Sequence, residues 1–329
     1  MRATAQPDAL PVWAVWPGKA ENGAEFDVHH AAMRLARRTF LEQTFPPFKE
    51  LTMYKTILVH VDASAGLQAR VQLAARVALA HGAHLVGVAP TGLSAYLYPL
   101  SAMDAGMPPV AFPIDEVRAD AARSLDLFDS TARQLGVTSL ERRMVDDEAG
   151  VGLCLQARYA DLVVIGAPPA DTVLFARPGV AGQVLLNCGR PVLVTPSAGA
   201  GEAIGTRVTV AWNGSAQAMR AIASALTLLQ GAAQVDLVVA GKTGLSDLDG
   251  EQPGADIAPY LARHGIKVAL STIDGGAGDG ESLLSFAARK GADLIVMGAF
   301  GRSRLREFVL GGVTRTALLS SPIPLWMAH

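Results

Sequence analysis

A stretch near the middle of this chain recurs near its end. Ala160-Asp161-Leu162-Val163-Val164-Ile165-Gly166-Ala167 aligns with Ala292-Asp293-Leu294-Ile295-Val296-Met297-Gly298-Ala299. Each copy is an apolar run closed by a glycine, which reads as a buried parallel strand. Arg190-Pro191-Val192-Leu193-Val194 aligns less closely with Ile323-Pro324-Leu325-Trp326-Met327, and Thr56 to Asp62 aligns with Val208 to Asn213. Repeats this far apart mean duplicated domains and exclude a short-period solenoid.

Both halves alternate short apolar runs with amphipathic stretches. In the first, strands are expected near Thr56–Val61, His84–Ala89, Leu140–Val145, Leu162–Gly166 and Val192–Thr195, with helices near Ala65–Ala80, Ile114–Leu135, Glu148–Tyr159 and Val180–Asn187. In the second, strands are expected near Arg207–Trp212, Gln234–Val239, Lys267–Ile273, Leu294–Met297 and Pro324–Met327. Its helices are expected near Ala216–Leu229, Ala255–Arg263, Glu281–Lys290 and Val313–Ser320. Apolar strands between such helices form a parallel sheet covered on both faces. Right-handed crossovers make it doubly wound. The fold class is therefore α/β, with two tandem doubly wound parallel-sheet domains. Residues 53–197 form the first and 206–329 the second, with the boundary in the Gly-, Ala- and Ser-rich stretch Ser197 to Gly205.

A chain of 329 residues has room for about two domains. Half its residues are apolar and its net charge is only -2, so charge gives no case for nucleic acid or a membrane surface as partner. No run of about eighteen apolar residues spans a bilayer. Cys154 and Cys188 read as buried reduced thiols of a cytosolic protein, and the scattered histidines form no metal site.

Residues 1–52 differ from the rest: prolines at 7, 11, 17, 46 and 47, Trp13 and Trp16, and no sustained period. They read as a disordered extension or as translated leader. Met53-Tyr54-Lys55 resembles a chain start, and Lys49-Glu50 can be encoded by AAGGAG, a ribosome-binding sequence. Val28 to Gln43, with Arg34, Arg37 and Arg38, admits a basic helix but lacks a secretory apolar core and cleavage site.

The chemistry concentrates after Met297. Gly298, two residues, Gly301, nine residues, Gly311 and Gly312 lead into the helix at Val313. Glycines let a backbone approach an anion, and the first free N–H groups of a helix point at it. Arg302 can add a charge-assisted bond to phosphate. The alternative is that these glycines only serve a helix C-cap and a tight turn. This spacing resembles that of the universal stress protein family, whose nucleotide-binding members carry Ser or Thr where Gly312 stands. The departure removes a hydroxyl and keeps a backbone N–H. The resemblance covers about Met53 to His329 and implies a Rossmann-like fold of the adenine nucleotide alpha hydrolase-like kind.

Carried onto this chain, the resemblance implies backbone contacts from Gly298, Gly301, Gly311, Gly312 and Val313, flanked by Ala211 and Met297 at strand ends. Asn213, where the family has Asp, would hold ribose or base, Arg302 would neutralise phosphate, and the end of the second strand, near Val239, would touch the base. The first half keeps Asp62 but follows Gly166 with Ala167-Pro168-Pro169, and proline has no N–H to offer. One site per chain is expected, in the second half. The ligand would be ATP or AMP, with Mg2+ accompanying ATP. The expected role is a cytoplasmic, nucleotide-responsive stress protein with no catalytic residues and at most slow ATP hydrolysis. The rival readings are a nucleotide-free scaffold of the same fold and, more distantly, a hydrolase. The family's pairing through last strands implies an intramolecular pseudo-dimer, with a homodimer or a further protein partner left open.

Three other stretches carry expectations. The loop holding Tyr96, Tyr98, Met103, Met107 and Phe112 reads either as a lid or contact surface or as local packing. Gly275 to Gly280 lacks the Lys-Ser/Thr ending of a P-loop and reads as a flexible turn. Asp146, Asp147 and Glu148 read as caps of the next helix, and His60 as packed within its strand.

Overall fold

The computed structural model describes residues 54–93, 113–169, 179–240, 254, 256–273, 279–301 and 312–329. The expectations for residues 1–52, for the Tyr96–Phe112 loop, for Gly275 to Gly278 and for Arg302 to Gly311 lie outside these. The first half runs β1 (Thr56–His60), α1 (Leu67–His81), β2 (His84–Pro90), α2 (Ile114–Gln134), β3 (Leu140–Val145), α3 (Ala149–Ala157), β4 (Leu162–Gly166), α4 (Val180–Asn187) and β5 (Val192–Thr195). The second runs β6 (Arg207–Trp212), α5 (Ala216–Gly231), β7 (Gln234–Ala240), α6 (Ile257–Arg263), β8 (Val268–Ile273), α7 (Asp279–Arg289), β9 (Leu294–Gly298), α8 (Val313–Ser320) and β10 (Leu325–Ala328).

The strands form one sheet in the order β3-β2-β1-β4-β5-β10-β9-β6-β7-β8. Every pairing is parallel except that of β5 with β10, where Val194 opposes Leu325 and Val192 opposes Met327. The duplicated halves are thus joined edge to edge through their last strands. Each half is wound both ways from its first strand: β1 lies between β2 and β4, and β6 between β7 and β9. Central strands such as β4 and β9 are buried almost throughout, whereas the edge strands β3 and β8 are partly exposed. That is why the central runs are apolar without interruption.

Two apolar layers cover the sheet. One packs α1, α2, α5 and α6 against side chains such as Ile57, Val59, Val208 and Trp326. The other packs α3, α4, α7 and α8 against Leu58, Val163, Ile295 and Met327. Both layers cross the junction between halves, so Thr52–His329 is one compact unit. Several element boundaries differ from the sequence reading by one or two residues: α1 begins at Leu67, α7 begins at Asp279 and α5 runs on to Gly231. Among the described residues no helix is long and apolar enough to cross a membrane.

Candidate functional site

The aspartates of the repeated Ala-Asp-Leu segments set the frame. Asp161 accepts backbone N–H groups of Lys55 and Thr56 at 2.7 and 2.9 Å. Asp293 accepts those of Gly205, Thr206 and Arg207 at 2.8, 3.0 and 3.1 Å. Each carboxylate ties the start of its half's first strand to the strand beside it. The carboxyl ends of β6 and β9 therefore lie side by side at the point where strand order reverses, the usual ligand crevice of such sheets.

After β6 the chain turns through Asn213 and Gly214 into α5. Asn213 Oδ1 accepts from the Ser215 N–H at 3.2 Å and from the Ser215 hydroxyl at 2.7 Å. Ser215 Oγ in turn caps α5 by accepting from the Ala218 N–H at 3.1 Å. With its oxygen engaged, the Asn213 amide keeps its Nδ2 hydrogens for another partner. A Cβ built on Gly301 would lie 3.4 Å from that nitrogen, so any longer side chain there would occupy the same space. Gly298 answers to a different demand. A Cβ there would stand 2.6 Å from the backbone nitrogen of Ala218, so the start of α5 can approach β9 only over a glycine.

Between these glycines the backbone is held in an uncommon shape. Phe300 has a φ of 50°, the left-handed region that few non-glycine residues adopt. Its N–H donates to Thr314 Oγ1 at 3.1 Å, while the Ala299 N–H donates to the Ala328 carbonyl at 2.8 Å. α8 starts just beyond, with Gly312 as an N-cap that offers no side-chain bond. The first N–H groups of α8 therefore have no side-chain cap.

These parts line a cleft of about 110 Å³ that opens to solvent. Its lining includes the apolar residues Ala211, Trp212, Val238, Ile273, Leu283, Met297 and Val313, together with Asn213, Asp279, Gly298, Gly301 and Thr314. An apolar slot beside backbone donors can hold an aromatic base at one end and an anion at the other. Among the described residues no three His, Cys, Asp or Glu side chains gather to hold a metal.

Of the residues named from sequence, Ala211, Asn213, Met297, Gly298, Gly301 and Val313 meet at this cleft. Gly312 caps α8 without being among the lining residues, and Arg302 and Gly311 lie outside the described residues. The Val239 side chain is fully buried. A Cβ on Gly254 would meet it at 3.0 Å, while its neighbour Val238 lines the cleft. Successive strand side chains point to opposite faces, so of the two valines Val238 is the one that lines the cleft. Sequence reading also missed Trp212, Ile273, Asp279, Leu283 and Thr314. Asp279 and Leu283 are one helical turn apart on α7, a signal hidden while that helix was expected to begin at Glu281. Gly280, expected in a flexible turn, lies within α7 and faces Thr316 of α8, 2.6 Å from where its Cβ would stand.

The first half is built differently at the equivalent place. Asp62 repeats the serine contacts of Asn213, with Ser64 N–H and Oγ–H at 3.1 and 2.5 Å. Yet Arg70, reaching from α1, lies 3.2 Å from the Asp62 carboxylate and donates to the His60 carbonyl at 2.7 Å and to Ser64 Oγ at 3.1 Å. Burial works against the Asp62 carboxylate, but Arg70, His60 and Ser64 together hold its pKa below the ordinary value. A Cβ on Gly166 would fall 2.5 Å from Arg70 Nη2, so the guanidinium fills the space beside the strand. In the second half the matching helix position is Ala221, and α5 starts two residues earlier relative to its strand than α1 does.

Comparison with known proteins agrees with this architecture. The profile of the Universal stress protein family matches residues 53–196 and again 206–329. Universal stress protein Slr1230 of Synechocystis is 27% identical over 206 residues, covering 60% of this chain and 67% of that protein. A universal stress protein of Archaeoglobus fulgidus shares the fold at a TM-score of 0.63 and 16% identity, over 84% of this chain and 96% of its own. Another from that organism, solved with dAMP, covers 43% of this chain and 98% of its own at 22% identity and a TM-score of 0.32. Two family matches, the shared fold and the duplicated strand-and-glycine framework lead to one conclusion: this chain belongs to the universal stress protein family, in its tandem form.

Proposed function

We propose that the second-half cleft binds an adenine nucleotide, ATP or AMP, one per chain. On this reading the protein is a cytoplasmic nucleotide-responsive protein of stress physiology and not a dedicated catalyst. The observation that supports it is the meeting of Asn213, the Gly298–Gly301 segment and the uncapped start of α8 around a cleft with a largely apolar lining. Adenine would take the slot between Val238 and Met297. Asn213 Nδ2 would donate to ribose or base, and the phosphate would face the N–H groups opening α8. Arg302 would add a cation, and Mg2+ would accompany ATP through its phosphates. On this reading any hydrolysis of bound ATP would be slow.

The test is direct. The full chain is purified without added nucleotide, denatured, and its supernatant separated by anion exchange with mass detection. Release near one adenine nucleotide per chain, abolished by Gly301→Glu, is the expected result. The rival reading is a nucleotide-free scaffold, favoured by the missing hydroxyl at Gly312 and by the Arg70-filled first half. No released nucleotide, together with no heat on titrating ATP or AMP, would establish that rival.

A further inference from the structure

We infer that the outer face of α3 is a docking surface for a second copy of this chain, with the two α3 helices packed antiparallel. α3 lies against α4, and its buried side holds Gly150, Gly152, Leu153 and Ala157. The side turned to solvent carries Val151 and Leu155, 46% and 41% exposed, with Tyr159 just beyond. The corresponding helix of the second half, α7, shows a solvated face in the same fold. Its exposed positions are Glu281, Ser285, Ala288 and Arg289, without a large apolar side chain. Neighbouring exposed aliphatic side chains on a helix of 9 residues mark a contact surface.

The chemistry of that face identifies its occupant. Glu148, Val151, Leu155 and Arg158 follow one another at steps of three, four and three residues, which aligns them along one side of a helix. Glu148 and Arg158 are both exposed. The seam is thus acidic at its start, apolar at its centre and basic at its end. Laid antiparallel on a second copy, it is complementary to itself. Val151 meets the partner's Leu155 and Glu148 meets the partner's Arg158, each contact occurring twice about a twofold axis near Leu153. Parallel packing would instead set like charges together at both ends. An open groove of about 470 Å³ runs beside the seam between α3 and α4, bordered by Cys154, Gln183 and Asn187, and receives the flank of the second helix. The edges of β5 and β10 are already paired within the chain, so association between chains needs a surface such as this. A single-helix seam is at the low end of specific interface sizes, so the dimer is weak and concentration-dependent.

Sedimentation velocity of the full chain, from low to several hundred micromolar, tests this. The variants are Leu155→Glu, the single swaps Glu148→Arg and Arg158→Glu, and the double swap carrying both. All three positions are exposed, and circular dichroism confirms that each variant is folded. The expected result is a wild-type monomer–dimer equilibrium in the micromolar range, abolished by Leu155→Glu. Each single swap opposes like charges and should weaken association about tenfold or more. The double swap restores opposite charges and should return affinity to within about threefold of wild type. A wild-type chain that stays monomeric throughout overturns the inference. So does a dimer that keeps its affinity in Leu155→Glu, since it then uses another face. A double swap no tighter than the single swaps overturns the antiparallel pairing.

Discussion

Asn213 and Asp62 occupy matching turns and make the same bonds to a serine two residues on, yet their surroundings give them opposite fates. Asn213 lines the cleft beside the glycine segment, whereas Asp62 pairs with Arg70 and borders an open pocket toward α2. His60 completes the first-half cluster. Burial, reinforced by Arg70 and opposed by Asp62, lowers its pKa from 6.5 to about 4. The unfolded chain therefore takes up a proton that the folded chain refuses between those values. The stability involved is intact above pH 6.5 and lost as pH falls toward 4. It amounts to roughly 3 kcal/mol. His60→Ala, which installs the residue found at the matching Ala211, should remove this pH dependence. Urea midpoints at pH 7 and 4.5 for both proteins would check it. A second residue-scale prediction separates the two glycines. Gly298→Ala should destabilise the fold by about 1–3 kcal/mol in urea titration, because its Cβ meets backbone. Gly301→Glu should unfold near the wild-type midpoint and lose only the ligand.

At the scale of elements, the repeated Ala-Asp-Leu segment has a mechanical reason. In both halves its aspartate lies at the start of an inner strand and gathers N–H groups from the start of the first strand. For Asp293 one of the three donors, the Gly205 N–H, is part-buried and the other two are exposed, so removing the acceptor costs about 1 kcal/mol. Asp293→Ala should show such a loss in chemical denaturation, and Asp293→Asn a smaller one, since the amide oxygen still accepts. The strands, both exact helices α4 and α8, and the glycine segment were all legible in sequence, because apolar runs and glycines are local signals. The start of α7 was not: Gly280 suggested a turn, and only contact with Thr316 makes it a packing glycine inside a helix.

At the scale of the whole molecule, one sheet runs through both halves by the antiparallel pairing of β5 and β10. The junction is reinforced from outside the sheet. The Tyr54 hydroxyl donates to the Ser224 carbonyl, Trp326 Nε1 donates to Ser224 Oγ at 3.0 Å, and the Tyr54 and Trp326 rings lie 5.2 Å apart. A half cut free would expose β5 as an unpaired edge, which templates pairing with another chain. Residues 54–205 expressed alone should therefore form a dimer or larger species by light scattering; a stable monomer would contradict this. The intact chain should unfold in a single calorimetric transition, because both apolar layers cross the junction.

By itself the sequence determined the duplication, the alternation of strands and helices, and the half in which glycines and backbone donors could form a cradle. These follow from periodicity and from residues whose constraints are local. Tertiary structure alone decided that Val238 and not Val239 lines the cleft, that Arg70 fills the first half, and that Thr314 reaches back to Phe300. Each depends on a side chain meeting a segment distant in sequence, or on which face of a strand it points to. No local pattern specifies either.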